Sequence, residues 1–398
     1  MIPKIDVVGE FFTKQISRQV RELFASSLIL NLALSMISIF EPIFLYNFFS
    51  QTLNLRGSLM AIAWFYLGVY VIYFFIMPWG AKFCRRYGYE NSMALSSLFQ
   101  IAFYFGLLAL NGGYLPLLLV VFLYALAKTF YWPAYHANFA KFSTDGEQGR
   151  QISNLYVIQS IIYIIGPLIG GLILNFFSFK VLFVAVSVLI LASNVPMLIT
   201  PESFEPKKFA YFGFFKSWWR DFRRGRGLPH LAFGEELVLL VFWPVFMFLV
   251  ANDYLSLGII SASSIFLTTI ALLFVGRWSD RGNKKILLHY GSIFYFFSWL
   301  FKILVRTPWG IVLVDVYGRI SRNFISVPVT ASLYHDAKIY SSVDTVMFFE
   351  ISLVVGKILA LVFCLVILSF FDPGWNVLFI FSGLVTWFYL FFNKQRTD

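Results

Sequence analysis

Apolar residues run along this chain in long blocks, and polar residues gather in the gaps between them. Blocks of spanning length fall at 25–49, 58–80, 92–112, 114–138, 153–176, 180–200, 231–252, 256–278, 286–305, 309–334, 344–371 and 375–393. Each is long enough to cross about 30 Å of hydrocarbon as a helix. The pattern predicts an all-α membrane protein of twelve transmembrane helices, whose even number leaves both termini on one side. The gap at 201–230 is the only sizeable soluble segment, and it divides the spans six and six. The expected organisation is an amphipathic arm at 1–24, a six-helix bundle at 25–200, an interdomain loop at 201–230, a second bundle at 231–393 and a tail at 394–398.

Composition agrees. Of the 398 residues, 59% are hydrophobic, 20% aromatic and 13% charged. A soluble domain carries about a quarter charged residues, so a soluble enzyme, a nucleic-acid binder and a disordered scaffold are excluded. The first residues hold acids and no compact apolar core with a cleavage site, so no signal peptide is expected there. Cys84 and Cys364 fall in different halves and suggest neither a disulfide framework nor a metal site.

The net charge of +11 would suggest nucleic acid in a soluble protein, but here its placement decides. Arg56, Lys180, Lys302 and Arg306 fall on one side of the spans; Lys128, Arg319, Arg322 and Lys357 fall within them. The rest of the 31 Lys and Arg gather on the other side, in the N-terminal arm, the alternate turns, the middle loop and the tail. By the positive-inside rule that side, with both termini, is cytoplasmic. The charge is then a topology signal with contacts to anionic lipid, and no nucleic-acid partner is needed.

The halves match in order. Phe-Glu-Pro-Ile-Phe-Leu at 40–45 parallels Phe-Trp-Pro-Val-Phe-Met at 242–247. Ala81 to Arg86 parallels Gly276 to Arg281, and Pro133 parallels Pro328, both 195 residues on; Gly166 parallels Gly356 at 190. Parallel six-helix repeats about an axis along the membrane normal are an architecture of secondary transporters.

The run Gly276-Arg277-Trp278-Ser279-Asp280-Arg281-Gly282-Asn283-Lys284-Lys285 resembles the loop motif Gly-x-x-x-Asp-Arg-x-Gly-Arg-Arg of the major facilitator superfamily, with Asn283 where the family favours Gly. The copy between spans 2 and 3 keeps Arg86 and Gly88 but has Ala81 for Gly and Arg85 for Asp. Gly166-Pro167-Leu168-Ile169-Gly170-Gly171 in span 5 resembles the core of the family's antiporter motif, with Ile162 in place of the preceding glycine. The resemblance covers the whole chain as a twelve-helix plan.

It implies that Asp280 and Arg281 latch the cytoplasmic gate against the start of span 5, near Gln151 and Asn154. A helix N-terminus stabilises a carboxylate by about 0.3–1 kcal/mol when exposed. Arg85 would repel such a terminus, whereas Asp344 opens span 11, the expected facing element. A swapped pair of Arg85 with Asp344 across the halves is the expectation, against Arg85 among lipid headgroups. The glycines of span 5 admit close backbone approach and, with Pro167, a kink; packing accounts for them as well as antiport does.

Charges within spans are costly unless paired or hydrated, so they are candidate functional groups. Glu41 lies midway along span 1 before Pro42, where it can carry a proton, meet a cationic substrate group, or be a hydrogen-bonded structural carboxylate. Lys128 in span 4, followed by Tyr131, Trp132 and His136, can neutralise Glu41, bind an anion or snorkel. His136 reads as a hydrogen-bonded packing residue. Asp315 and Arg319, four apart, share a helix face, which leaves Arg322 free to join Glu350 and Lys357 of span 11 as a switch or a static cluster. Glu235 and Glu236 read as dipole caps at the start of span 7, and Asp253 as solvated. Trp64, Tyr131, Trp132, Trp243 and Trp299 are weaker candidates for a cavity lining. The stretch Phe214 to Arg224 reads as an amphipathic helix on the inner leaflet, with a partner-binding helix as the alternative.

No Walker loop or metal-spaced His/Cys cluster is present, so no enzyme, cofactor or metal is expected, and energy would come from a gradient. The expectation is alternating access with proton-coupled export of a small amphipathic or cationic organic compound. One alternative is transport of an anionic solute or acidic lipid through Lys128, Arg322 and Lys357. Another is a receptor or scaffold that keeps the fold without transporting. The expected partners are a small-molecule substrate, H+ and lipids, in a multi-pass monomer of a prokaryotic cytoplasmic membrane.

Overall fold

The computed structural model describes residues 18–110, 114–142, 148–199, 211–281, 284–339 and 342–393. Every regular element among them is helical. In the first half these are α1 (Arg18–Ile37), α2 (Phe40–Phe49), α3 (Leu55–Tyr87), α4 (Tyr89–Leu108), α5 (Tyr114–Phe142), α6 (Gln148–Phe176), α7 (Phe179–Ser193) and α8 (Val195–Leu198). The middle loop contributes α9 (Tyr211–Asp221), continued by a π turn at Phe222–Arg226. A composite rod follows, from 3-10 (Leu228–Gly234) through α10 (Glu235–Leu237) and π (Val238–Phe242) to α11 (Trp243–Ala251). The last are α12 (Tyr254–Arg281), α13 (Lys284–Lys302), α14 (Pro308–Ile339), α15 (Ser342–Phe370) and α16 (Trp375–Val385), which ends in a 3-10 turn (Thr386–Asn393).

Among the described residues, nine helices are long and apolar enough to cross a membrane. The stretches expected at 256–278, 286–305 and 309–334 form helices too, but fall outside that set. Charge is the reason for α14, which carries Asp315, Arg319 and Arg322 along its middle. In α12 the side chains from 271 on lie outside the described residues, and the preceding Tyr254–Ile270 is an apolar helix.

Local chemistry sets the breaks. Between α1 and α2 the helix opens at Ser38 and Ile39, just ahead of Pro42, whose ring nitrogen has no hydrogen to donate to the preceding turn. Asn54 caps α3, its Oδ1 accepting from Gly57 N at 2.8 Å. Gly88 joins α3 to α4 at φ 100°, a conformation that glycine alone adopts without strain. Asp253, expected to be solvated, caps α12 by accepting from Ser256 N at 2.6 Å. Around Pro167, α6 runs on as one helix.

Large apolar side chains cover the outside, as a lipid solvent requires: Trp64, Trp309 and Phe370 are 60%, 77% and 79% exposed. Trp64 thus faces outward and lines no cavity. Inside, α6 packs on both α1 and α12, and α3 on α15. A Cβ on Gly170 would sit 2.0 Å from the Met36 carbonyl oxygen, and one on Gly258 would sit 2.5 Å from that of Pro167. Glycine at these points is what lets the backbones meet.

Candidate functional site

Three groups of charge lie within the helical body, each built where several rods converge. In the first half, α2 delivers Glu41, which is buried. Tyr66 of α3 donates its hydroxyl to Glu41 Oε1 at 3.0 Å, and Tyr124 of α5 is a second hydrogen-bond partner. Lys128, one turn further along α5, faces Glu41 electrostatically. Its Nζ stands 4.3 Å from the Tyr124 ring centre and 5.5 Å from that of Tyr70. An ammonium held over aromatic faces gains cation–π attraction in place of water.

The second group belongs to the other half. Lys357 Nζ of α15 lies 2.8 Å from Glu236 Oε2, and Arg322 of α14 binds Glu236 Oε1. Arg322 Nε also stands 3.7 Å from Glu235 Oε1. Tyr295 and Tyr389 donate their hydroxyls to Glu235 at 2.7 and 3.2 Å, and Glu235 is 0% exposed. The sequence reading of Glu235 and Glu236 as dipole caps is therefore corrected. Both sit on α10, between a 3-10 and a π segment, and the long Arg322 side chain reaches both carboxyls.

Glu350, expected beside Arg322 and Lys357, faces Lys357 electrostatically and is also held from the opposite half. Tyr73 of α3 donates to Glu350 Oε2 at 3.2 Å, and His136 Nε2 of α5 lies 3.4 Å from Glu350 Oε1. His136 also stacks on Trp132 with ring centres 5.6 Å apart. Tyr70 ties the groups together, its ring centre 5.5 Å from Lys128 Nζ on one side and 5.5 Å from Lys357 Nζ on the other. The central groups hold the carboxyls Glu41, Glu235, Glu236 and Glu350 against the bases Lys128, Arg322 and Lys357.

The third group joins the expected pair of Asp315 and Arg319 to a residue the sequence did not single out. Lys302, counted with the outer-side cations, is 1% exposed at the end of α13. Its Nζ lies 4.3 Å from the Trp243 ring centre and 4.9 Å from that of Trp299. Asp315 accepts from Trp243 Nε1 at 3.3 Å and pairs with Arg319 Nε at 2.7 Å. The two tryptophans thus enclose an ammonium. A Lys among aromatic residues at the end of an apolar block was the available signal, but it is equally the signature of an interfacial anchor.

Contacts join the halves at both ends. Arg85 Nη2 of α3 lies 2.9 Å from Asp344 Oδ1, which opens α15. At the opposite end, Arg56 donates to the carbonyls of Leu368 and Ser369, and Asn47 Nδ2 donates to the Tyr254 hydroxyl at 2.8 Å. Arg86 stands over the Tyr87 ring, 5.1 Å from its centre, and away from this junction. Gly276, Asp280 and Arg281 fall on the last turns of α12, but their side chains, like those of Gln151 and Asn154, lie outside the described residues. Among the described residues no cluster of His, Cys, Asp or Glu is arranged to hold a metal.

A family model for the Major Facilitator Superfamily matches residues 23–337. No curated protein matches the chain. Among solved structures, an auto inhibited POT family peptide transporter is similar with a TM-score of 0.71, over 96% of this chain and 98% of its own, at 11% sequence identity. At that identity the likeness concerns the fold.

Proposed function

The chain belongs to the Major Facilitator Superfamily, a family of membrane transporters, and from that premise we propose that it is a proton-coupled secondary transporter of a small organic solute. The observation that carries this reading is the position of Glu350: a carboxyl of one half held by Tyr73 and His136 of the other. Alternating access requires the halves to part, so this contact must break in each cycle. A carboxyl and an imidazole are groups whose attraction changes with a single proton. A proton taken up by Glu350 removes its charge and loosens the halves; its release restores the contact.

Twelve spans with both termini on the cytoplasmic side belong to this proposal. Of the three helices outside the apolar set, α13 and α14 are accommodated because Lys302, Asp315 and Arg322 turn inward, and the described side chains of α12 form an apolar helix. The membrane is a prokaryotic cytoplasmic one in this reading, and the transporter acts as a monomer. Asp280 and Arg281 serve as a second gate latch beside Arg85 and Asp344.

The substrate reading is export of an amphipathic or cationic compound, with Glu41 among Tyr66, Tyr70 and Tyr124 as its recognition group. A second reading has its own support: Lys128 and Lys357 flank Tyr70 from opposite halves, an arrangement suited to an anionic solute.

The test is ligand-induced stabilisation of the purified protein at acidic and alkaline pH, followed by flux of the hits in proteoliposomes carrying a pH gradient. A ligand at about 100 times its dissociation constant stabilises by about 2.7 kcal/mol. Cationic hits lost in Glu41→Gln support export of cations; anionic hits lost in Lys128→Met or Lys357→Met support the second reading. Flux in Glu350→Gln that keeps the wild-type response to the gradient overturns proton coupling through this residue.

A further inference from the structure

The middle loop was expected to lie on the inner leaflet, yet α9 is docked against two rods of opposite halves. Its underside presents Phe214 and Trp218, one turn apart and both buried. Trp218 Nε1 donates to Ser352 Oγ of α15 at 3.0 Å. Its ring packs edge-on against Phe74 of α3 at 5.8 Å, and Tyr211 donates its hydroxyl to the Phe75 carbonyl at 2.9 Å. The helix therefore bridges α3 and α15.

Depth follows from helical rise. Phe74 lies 19 residues along α3 from Leu55, and Ser352 lies 18 residues along α15 from Phe370. At 1.5 Å per residue these are about 28 and 27 Å from the opposite ends of the two rods. They lie about 9 and 12 Å inside the cytoplasmic span ends expected at 80 and 344, so a helix about 10 Å across docked on them brings its outward face to headgroup level. At this level α9 turns its other face outward. Arg220, Arg224 and Arg226 are 59%, 65% and 62% exposed, and Lys216 and Arg223 are exposed beside them. Asp221 reaches Arg224 and Arg226 only at 3.9 Å each, a separation at which a phosphate oxygen competes readily. Trp219 stacks on Phe222 and lies under Arg223, as an aromatic anchor does at a membrane surface.

We propose that anionic phospholipid headgroups bind the outward face of α9 and hold it as a clasp across α3 and α15, so that an acidic bilayer opposes separation of the halves at this end. The partner is a lipid surface because the basic face is presented at headgroup depth on elements that themselves cross the bilayer. Docking of α9 already buries its apolar edge, so lipid can engage the basic face without releasing the clasp. Each such cation near an anionic surface is worth about 1 kcal/mol, or about fivefold in affinity. The inference rests on membrane insertion and α9 docking; it is independent of substrate and proton coupling.

The experiment is hydrogen exchange of the full chain in nanodiscs of phosphatidylcholine alone and of phosphatidylcholine with phosphatidylglycerol in equal parts. The amides of 211–226 should exchange at least about tenfold more slowly in the acidic bilayer. The combined R220Q, R223Q, R224Q and R226Q substitutions should abolish that difference. Trp218→Phe, which keeps the ring but removes the donor, should weaken protection in both bilayers and shrink the lipid effect. Equal exchange of the wild type in the two bilayers overturns the proposal. So does the same protection from soluble glycerol phosphate in phosphatidylcholine, which would mark a site for free anions. A lipid effect undiminished in Trp218→Phe would mean that lipid binds α9 without acting through the clasp, and would overturn that part.

Discussion

Lys357 offers the sharpest test of the buried charge cluster. Its Nζ lies 2.8 Å from Glu236 Oε2, while Arg322 holds the other oxygen of the same carboxylate. At an effective dielectric of about 20, two unit charges at that distance attract by about 6 kcal/mol before desolvation is subtracted. Breaking a buried pair by removing one partner costs about 3–5 kcal/mol, because the remaining charge is stranded. In Lys357→Met the stranded carboxylate keeps Arg322, so the loss should be about 2–3 kcal/mol. Glu236→Gln leaves Lys357 with the Tyr70 ring and shifts Arg322 onto Glu235 alone, and should cost about 3–4 kcal/mol. The double variant removes both stranded charges and should lose about 2 kcal/mol less than the sum of the single losses. The assay is reversible unfolding in mixed micelles as the denaturing detergent fraction rises, with the three variants and wild type measured as one cycle. Single losses that add to within about 0.5 kcal/mol would falsify the pairing and the reasoning built on it.

The remaining predictions concern the gate, the helix contacts and the lysine box. Arg85→Asp should place two acids together and lower transport or ligand affinity, and the exchange of both residues (R85D with D344R) should recover most of the loss; recovery is the decisive readout, because Asp344 is largely exposed and an exposed pair is worth under about 1 kcal/mol in stability. Gly170→Val should prevent correct packing, since even its Cβ would lie 2.0 Å from the Met36 carbonyl oxygen; size-exclusion profiles of the purified protein should show loss of the monodisperse peak, whereas Trp64→Ala, on the outer surface, should leave the profile unchanged. Lys302→Met should be tolerated to within about 1 kcal/mol, because an apolar chain of similar length can occupy the tryptophan box at no desolvation cost; collapse of the protein on this substitution would show that the Lys302 charge is needed to balance Asp315.

Much of this molecule was written into the order of its residues. Membrane insertion is local: long apolar blocks leave the backbone no partner but itself, and helices follow. The blocks, their repeat and their motifs suffice for the all-helical class and for the family. The junction of Arg85 with Asp344 was also legible, because a repeat names the element that faces a given turn and the sign of the charge names the partner. Other features depended on how the rods rotate against one another, which no short stretch encodes. Glu350 faces Lys357 of its own helix but is hydrogen-bonded by Tyr73 of the other half. Glu235 and Glu236 both reach Arg322 of another helix. Lys302, which reads as the outer end of a span, is drawn between Trp243 and Trp299, rings that both pack on Phe379 of α16. The loop helix shows the same limit: its amphipathic pattern was plain, but an apolar stripe is equally satisfied by lipid or by protein. Only the cleft between α3 and α15, formed by residues more than two hundred positions apart, decided which surface it covers.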